Sequence, residues 1–203
     1  MSPRPAIVSA LLVTACHLAP HPPARAPAPI VVPRATGPIT IDGRLEEPDW
    51  QRAWRSPVLE DSRGRSAPYA DVRLMGDDEK LYVAVYVADD DLRTRPREGD
   101  LSGAGDEVRL SVGPLRIVLT PGGAGLTDGV QAAMDVDGTV DRSDDMDEEW
   151  VTELSIPWSA IGGQTARTQG VRLRALRLDA WKGPERALAW PRADPALLQL
   201  AAR

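Results

Sequence analysis

The side chains best suited to nucleophilic or metal chemistry are few and lie near the start of the chain. The sequence has one cysteine, Cys16, and two histidines, His17 and His21. A single cysteine excludes an internal disulfide framework and any metal site built from several cysteines. Both histidines lie too near the start to belong to a packed active site, which argues against nucleophile–histidine catalysis. The groups left for chemistry are carboxylates, arginines and tryptophans.

Carboxylates cluster in the stretches 89–91 and 141–149. Such loops can bind calcium, which takes about six to eight oxygen ligands. The stretch from Asp135 to Asp141 has spaced carboxylates but lacks the glutamate that closes an EF-hand loop, and solvated acidic faces are the simpler interpretation. No carboxylate pair is singled out by its spacing for acid–base catalysis. We therefore predict no enzyme and no cofactor, leave structural calcium open and assign no metal ligand.

The first fifteen residues are typical of an export signal. Arg4 precedes an apolar run that ends at Ala15, and this run is too short to cross a bilayer but fits the core of a secretory signal. Its end, Val13-Thr14-Ala15-Cys16, resembles the bacterial lipobox, in which the cysteine becomes lipid-modified and N-terminal after cleavage. We predict that residues 1–15 are the signal and that Cys16 is the lipid anchor. A plain signal peptide with an incidental cysteine is the alternative.

Residues 16–37 are rich in proline and alanine, a composition typical of a semi-rigid extended spacer. The domain itself is predicted to span residues 38–203. This organisation predicts a lipid-anchored protein of the bacterial cell envelope, in the outer membrane or at the cell surface. Membrane contact is expected through the anchor only.

The charge balance argues against a nucleic-acid partner. The chain of 203 residues has 24 Lys and Arg against 30 Asp and Glu, for a net charge of -6. Nucleic-acid binding depends on clustered cations that neutralise phosphates, and no such cluster is visible in the sequence. The length fits one all-β domain with appendages.

The globular part shows mostly the period of two that is typical of strands. Its strongest example is Leu81–Val87, where β-branched and aromatic residues fill seven positions. The other predicted strands lie at 39–41, 70–74, 106–112, 115–119, 130–135, 150–156, 171–178, 187–190 and 197–201. Helices are predicted only at Glu46–Ala53 and Trp158–Ile161. The pattern predicts an all-β, antiparallel β-sandwich of about nine to eleven strands with one or two short helices.

Several spaced motifs occur in a recognisable order. They are Ile41-Asp42-Gly43 before an acidic stretch and Trp50, Asp77–Ala84, Val87–Asp89, Asp106–Leu110, Trp150–Trp158 with Glu153, Arg177–Ala180, and Ala187–Trp190. This order resembles the family 9 carbohydrate-binding modules and their DOMON-like relatives, which are β-sandwiches. The resemblance covers about residues 38–201. Core roles are expected for Trp50 and Trp158, and a structural role for Glu153.

The resemblance also implies a sugar site. In the resembled modules, a sugar end is held between two tryptophans, with a glutamate and an arginine beside it. Trp190 falls at the position of the second tryptophan, and Arg116 at that of the arginine. Because side chains alternate along a strand, the side chain of Arg116 is expected to point away from the core. The first tryptophan is replaced by Gly103 and the glutamate by Arg109.

Trp181 could supply the missing wall of this site, although packing on a loop is an equal alternative. Arg109 beside Arg116 favours an acidic ligand such as a uronic acid, unless the two arginines pair with Glu107 or the acidic loops. The predicted carbohydrate-binding residues are therefore Trp190, Arg116, Trp181 and Arg109.

These observations predict a non-catalytic lipoprotein that binds an oligo- or polysaccharide through one face of its sandwich. A structural or protein-interaction role in the envelope is the main alternative, and it would bury Trp190. Haem binding is a weaker alternative, because the chain has four methionines and no histidine beyond His21.

Overall fold

The computed structural model describes residues 28–66, 68–95, 105–127, 129–142, 144–179, 187–192 and 194–202. The strands within these ranges are β1 (Ile30–Val32), β2 (Trp54–Arg55), β3 (Ala70–Gly76), β4 (Lys80–Ala88), β5 (Glu107–Val112), β6 (Leu115–Thr120), β7 (Gly123–Gly125), β8 (Gln131–Asp137), β9 (Glu149–Pro157), β10 (Val171–Leu178), β11 (Leu188–Trp190) and β12 (Ala196–Leu200). The helices are α1 (Pro48–Arg52), a 3₁₀ helix (Trp158–Ile161) and α2 (Gly163–Gln169). None of the described helices has the length and apolar character that crossing a membrane requires.

The strands form two sheets packed face to face. One sheet has seven strands in the order β1-β12-β10-β5-β6-β7, with β11 pairing to β10 beside β12. The other has five strands in the order β2-β3-β4-β9-β8. All strand pairs are antiparallel except β1 with β12. The predicted all-β sandwich is confirmed.

The core lies between the two sheets, and its residues are those at every second position of the strands. Leu81, Val83, Val85 and Val87 of β4 are fully buried, and Trp150 of β9 is the largest of the fully buried side chains. Alternate residues of each strand point to the same face, so these positions all meet the opposite sheet. Burying them removes apolar surface from water, which is the main driving force for the fold.

A second apolar cluster lies on the outer face of the five-stranded sheet. Trp50 of α1 packs there with Tyr82, and Ile39 and Ile41 lie against them. The segment around residues 35–53 therefore covers part of this face. The core role predicted for Trp50 is confirmed in this cluster, whereas Trp158 packs in the main core.

The sandwich begins earlier than the boundary predicted at residue 38. The apolar residues of β1, assigned to the spacer, pair in parallel with β12 in register Ile30 to Leu198. Conversely, the strand predicted at 39–41 is not present, because the partly buried Ile39 and Ile41 pack on the second cluster and pair with neither sheet. Three further elements, β2, β7 and α2, were not predicted.

Candidate ligand-binding face

Trp190 lies on the core side of the seven-stranded sheet. In β11 it pairs with Ala175 of β10, which is fully buried, and Trp190 itself is 8% exposed. Its ring centre is 5.0 Å from that of Trp54 in β2, with the planes tilted by 42°. The two tryptophans therefore pack together where the edges of the two sheets meet.

This tryptophan pair leaves no room for a sugar ring between its members. A ring held between two aromatic faces needs a van der Waals contact of roughly 3.5 Å on each side, hence about 7 Å between the planes. The observed centroid distance of 5.0 Å is that of direct ring contact. We conclude that Trp190 stabilises the core with Trp54.

Arg109 and Arg116 lie on the outer face of the same sheet, as alternation predicted for Arg116. In the β5–β6 pair, Ser111 is opposite Arg116 and Arg109 is opposite Val118, and both arginines are exposed. The guanidinium of Arg116 donates to the carbonyls of Gly113 and Leu115, at 2.9 and 2.8 Å. Arg109 forms an ion pair with Glu107, the alternative that the sequence left open.

The structure places two members of the expected four-residue site apart. Trp190 and Arg116 lie on opposite faces of one sheet, because Trp190 is in register with core-facing Ala175 whereas Arg116 is in register with outward-facing Ser111. Gly103, Trp181 and Cys16, the predicted lipidation residue, lie outside the described residues, so the roles expected of these positions stay predictions.

Two arginines that sequence reasoning missed complete the outer face. Arg174 of β10 is opposite Ser111 of β5, which is itself opposite Arg116. Arg172 lies two residues earlier on the same face and donates to the Pro195 carbonyl at 3.2 Å. Their alternation with buried Val171, Leu173 and Ala175 was a usable signal, but placing β10 beside β5 required the structure.

We call Arg109, Arg116, Arg172 and Arg174 the arginine face. Among the described strand residues that point outward from this sheet, Glu107 is the one acidic side chain. The Nε of Arg174 is buried and has no hydrogen-bond partner. A positive face of this kind stands out on a chain whose net charge is -6 and would attract anionic ligands.

Two of the carboxylates considered for calcium accept hydrogen bonds from the backbone. Both oxygens of Asp147 accept backbone N–H groups, from Leu92 and from Thr139, each at 2.6 Å. Asp141 accepts the Thr94 N–H at 2.9 Å. The described residues contain no group of three or more side chains arranged to hold a metal ion.

Glu153 also has a structural role, on the outer face of the five-stranded sheet. Its side chain is fully buried, and Oε2 accepts the N–H groups of Asp42 and Gly43, both at 3.0 Å. Burial raises the pKa of Glu153 to about 7, although these two hydrogen bonds favour the charged form. The motif Ile41-Asp42-Gly43 therefore fastens the covering segment to β9.

Replacing Gly43 by alanine is expected to destabilise the fold by about 2 kcal/mol or more. Gly43 has φ of 90°, and an added Cβ would lie 2.4 Å from the Met134 carbonyl carbon. The matched control is Gly163→Ala, which has φ of 62° but nothing within 4 Å of its added Cβ. Urea unfolding of both variants separates contact with β8 from backbone strain, and equal losses would contradict the contact.

Comparisons with known proteins support the same fold. No protein-family model and no curated protein sequence matches the chain at a significant level. A family 9 carbohydrate-binding module from Caldicellulosiruptor kristjanssonii in complex with cellotriose superposes with a TM-score of 0.58 at 15% identity, covering 87% of this chain and 95% of that one. The module with glucose gives 0.58 at 14% identity, with coverages of 84% and 95%.

A putative carbohydrate-binding protein from Bacteroides uniformis is a more distant structural match. It superposes with a TM-score of 0.50 at 12% identity, over 84% of this chain and 97% of that one. Identities this low establish a shared fold. The chain thus has the β-sandwich fold of the family 9 carbohydrate-binding modules.

Proposed function

We propose that this chain is a non-catalytic carbohydrate-binding protein whose ligand is an acidic polysaccharide, held along the arginine face. The observation that carries the proposal is the set of four outward arginines, with one carboxylate among them, on three adjacent strands of an acidic chain. The saccharide complexes of proteins with the same fold support carbohydrate as the ligand class.

The chemistry of the face suits a chain of uronic acids. A guanidinium is always charged and can hold a carboxylate through two parallel hydrogen bonds. Adjacent strands lie about 4.8 Å apart and residues on one face of a strand about 6.8 Å apart, so the four guanidinium groups can contact several charges of one extended polymer. Leu176 and Val118, in register on either side of Arg109, offer apolar surface for the C–H groups of the sugars.

We extend the proposal to the location of the protein. The motif ending at Cys16 supports an exported protein held at the bacterial envelope by a lipid. Bound at the cell surface, the arginine face would meet extracellular acidic polymers. Membrane contact through the lipid alone is part of the same proposal.

Binding of the full chain to acidic polymers tests the proposal. A Cys16→Ser form, which cannot be lipid-modified, would be titrated with polygalacturonate, alginate and heparin, and with methyl-esterified polygalacturonate as the uncharged counterpart. We expect at least one acidic polymer to bind, the ester to bind much less, and affinity to fall as salt is added. Arg116→Ala combined with Arg174→Ala should weaken binding about tenfold or more, which corresponds to about 1.4 kcal/mol.

The matched control is Arg142→Ala, which removes an exposed arginine paired with Asp144 on a loop. It should leave affinity unchanged. Equal binding of the methyl ester, or no loss in the double variant, would contradict the arginine face as the site.

A structural role in an envelope complex is the second candidate. The burial of Trp190 in the core favours it, because a tryptophan that stacks on sugar would be exposed. Failure of all three acidic polymers to bind would favour this role over the first.

A further inference from the structure

A polar groove lies on the outer face of the five-stranded sheet, on the opposite side of the molecule from the arginine face. Its volume is about 460 Å³, within the range of small-ligand sites. One wall is the segment that carries Arg44 and Glu46, and the floor is formed by β4, β8 and β9. We call it the tyrosine groove, after Tyr86 in its floor.

The register of the sheet explains how the groove is assembled. Asp71, Tyr86, Val151 and Asp135 are directly opposite one another on four adjacent strands, β3, β4, β9 and β8. They therefore form one row across the sheet on the same face. The row places an aromatic ring and an aliphatic side chain between two carboxylates.

The ring of Tyr86 is held in position by two contacts. Its hydroxyl donates to Glu149 Oε2, and Tyr69 meets the ring edge-on with 5.8 Å between centroids. Burial and the neighbouring Glu149 raise the pKa of Tyr86 to about 12, so the hydroxyl stays protonated at neutral pH. A fixed, protonated tyrosine suits binding and is a poor nucleophile.

The groove carries charges of both signs, in contrast to the arginine face, since two arginines, Arg44 and Arg73, line it with three carboxylates, Glu46, Asp135 and Glu149. Arg73 lies 3.3 Å from Asp71, and Arg44 lies 3.9 Å from Asp135. Hydrogen-bond donors and acceptors therefore both lie in the groove lining. A ligand of one charge would meet like charges here, whereas a hydroxyl group can donate to a carboxylate and accept from a guanidinium.

We propose that the tyrosine groove binds a neutral pyranose sugar, with the apolar face of the sugar against Tyr86 and Val151 and its hydroxyls on Glu149, Asp135 and Arg73. This site is separate from the arginine face and does not depend on it. The protein would then engage two different carbohydrates on its two sheets, an acidic one and a neutral one.

Saturation-transfer NMR of the full chain carrying Cys16→Ser, with glucose, galactose, mannose and xylose as probes, tests this site. We expect at least one of the four to bind, with transfer from tyrosine ring protons to sugar C–H protons. Tyr86→Ala should weaken that sugar about tenfold, because it removes the stacking surface. Glu149→Gln and Tyr86→Phe keep the shape of the groove and should each weaken binding several-fold.

The control is the double variant Arg116→Ala with Arg174→Ala, which should bind the neutral sugar as the parent does. If Tyr86→Ala fails to fold, the two shape-preserving variants carry the test. The proposal is overturned if none of the four sugars binds, or if the folded groove variants bind as well as the parent. Because each face has its own probes and variants, either proposal can fail alone.

Discussion

Replacing Arg177 by methionine is expected to lower the free energy of unfolding by about 3–5 kcal/mol at pH 7, the usual loss when one partner of a buried ion pair is removed. Arg177 is 1% exposed, and its Nη2 lies 2.9 Å from Oδ2 of Asp89, which is also buried. Arg177 is in β10 and Asp89 follows β4, so this pair links the two sheets. Methionine fills similar space but leaves the carboxylate of Asp89 without its cation.

Two further measurements identify the cause of this loss. Burial already raises the pKa of Asp89, and without Arg177 it should rise further, so protonation on going from pH 7 to pH 5 should recover part of the loss. Adding Asp89→Leu to Arg177→Met should restore most of the stability, because an apolar pair can replace a buried ion pair. Urea unfolding at both pH values provides the readout, and a single-variant loss under about 1 kcal/mol would contradict the argument.

The variant Glu153→Gln is expected to flatten the dependence of stability on pH. The pKa of Glu153 is about 7 in the folded state and near 4.5 in the unfolded chain. Between these values the folded protein binds the extra proton, so stability is highest at low pH and falls as pH rises through 7. One pKa unit is worth about 1.4 kcal/mol, so the parent should lose about 2–3 kcal/mol more than the variant between pH 5 and pH 8.

Glutamine keeps a carbonyl oxygen for the N–H groups of Asp42 and Gly43 but carries no charge, so the variant should be the more stable protein at pH 8. Asp89 also titrates in this range, but it does so in both proteins, and the difference between the two curves isolates Glu153. The control Glu153→Ala removes the acceptor and should be less stable than the parent at pH 5. Parallel curves for parent and glutamine variant would show that Glu153 does not titrate in the folded state as expected.

Strands with a clear core face could be predicted from the sequence, and those formed by pairing alone could not. The side chains of Leu81–Val87 alternate between the core and the outer face of the sheet. Both sets are apolar or aromatic, because the second cluster partly covers the outer face. By contrast, β1 is three residues long, and its strand character comes from pairing with β12 at the far end of the chain. No local pattern encodes a partner some 170 residues away.

The same distinction between local pattern and strand pairing applies to the candidate site. Alternation was enough to turn Arg116 outward, but the side taken by Trp190 depends on its register with Ala175, which no single strand reveals. Tyr86 was missed because its strand reads as fully buried, and Glu149 is separated from it by 63 residues. Residue type and local alternation identify which side chains could act, whereas register decides which of them meet.

The pairing of β1 with β12 also determines how the domain responds to force. A pull directed along β1 from its N-terminal end would load its ladder with β12 in shear, so the hydrogen bonds would have to break together and not one after another. The bond from Ala201 N–H to the Val32 carbonyl, at 2.9 Å, and that from Arg34 Nε to the Ala201 carbonyl, at 2.8 Å, extend this contact. If the proposed tether and a polymer on the arginine face were under tension, the load would pass through β12 into β10 and β5, and this edge of the sheet would bear the force.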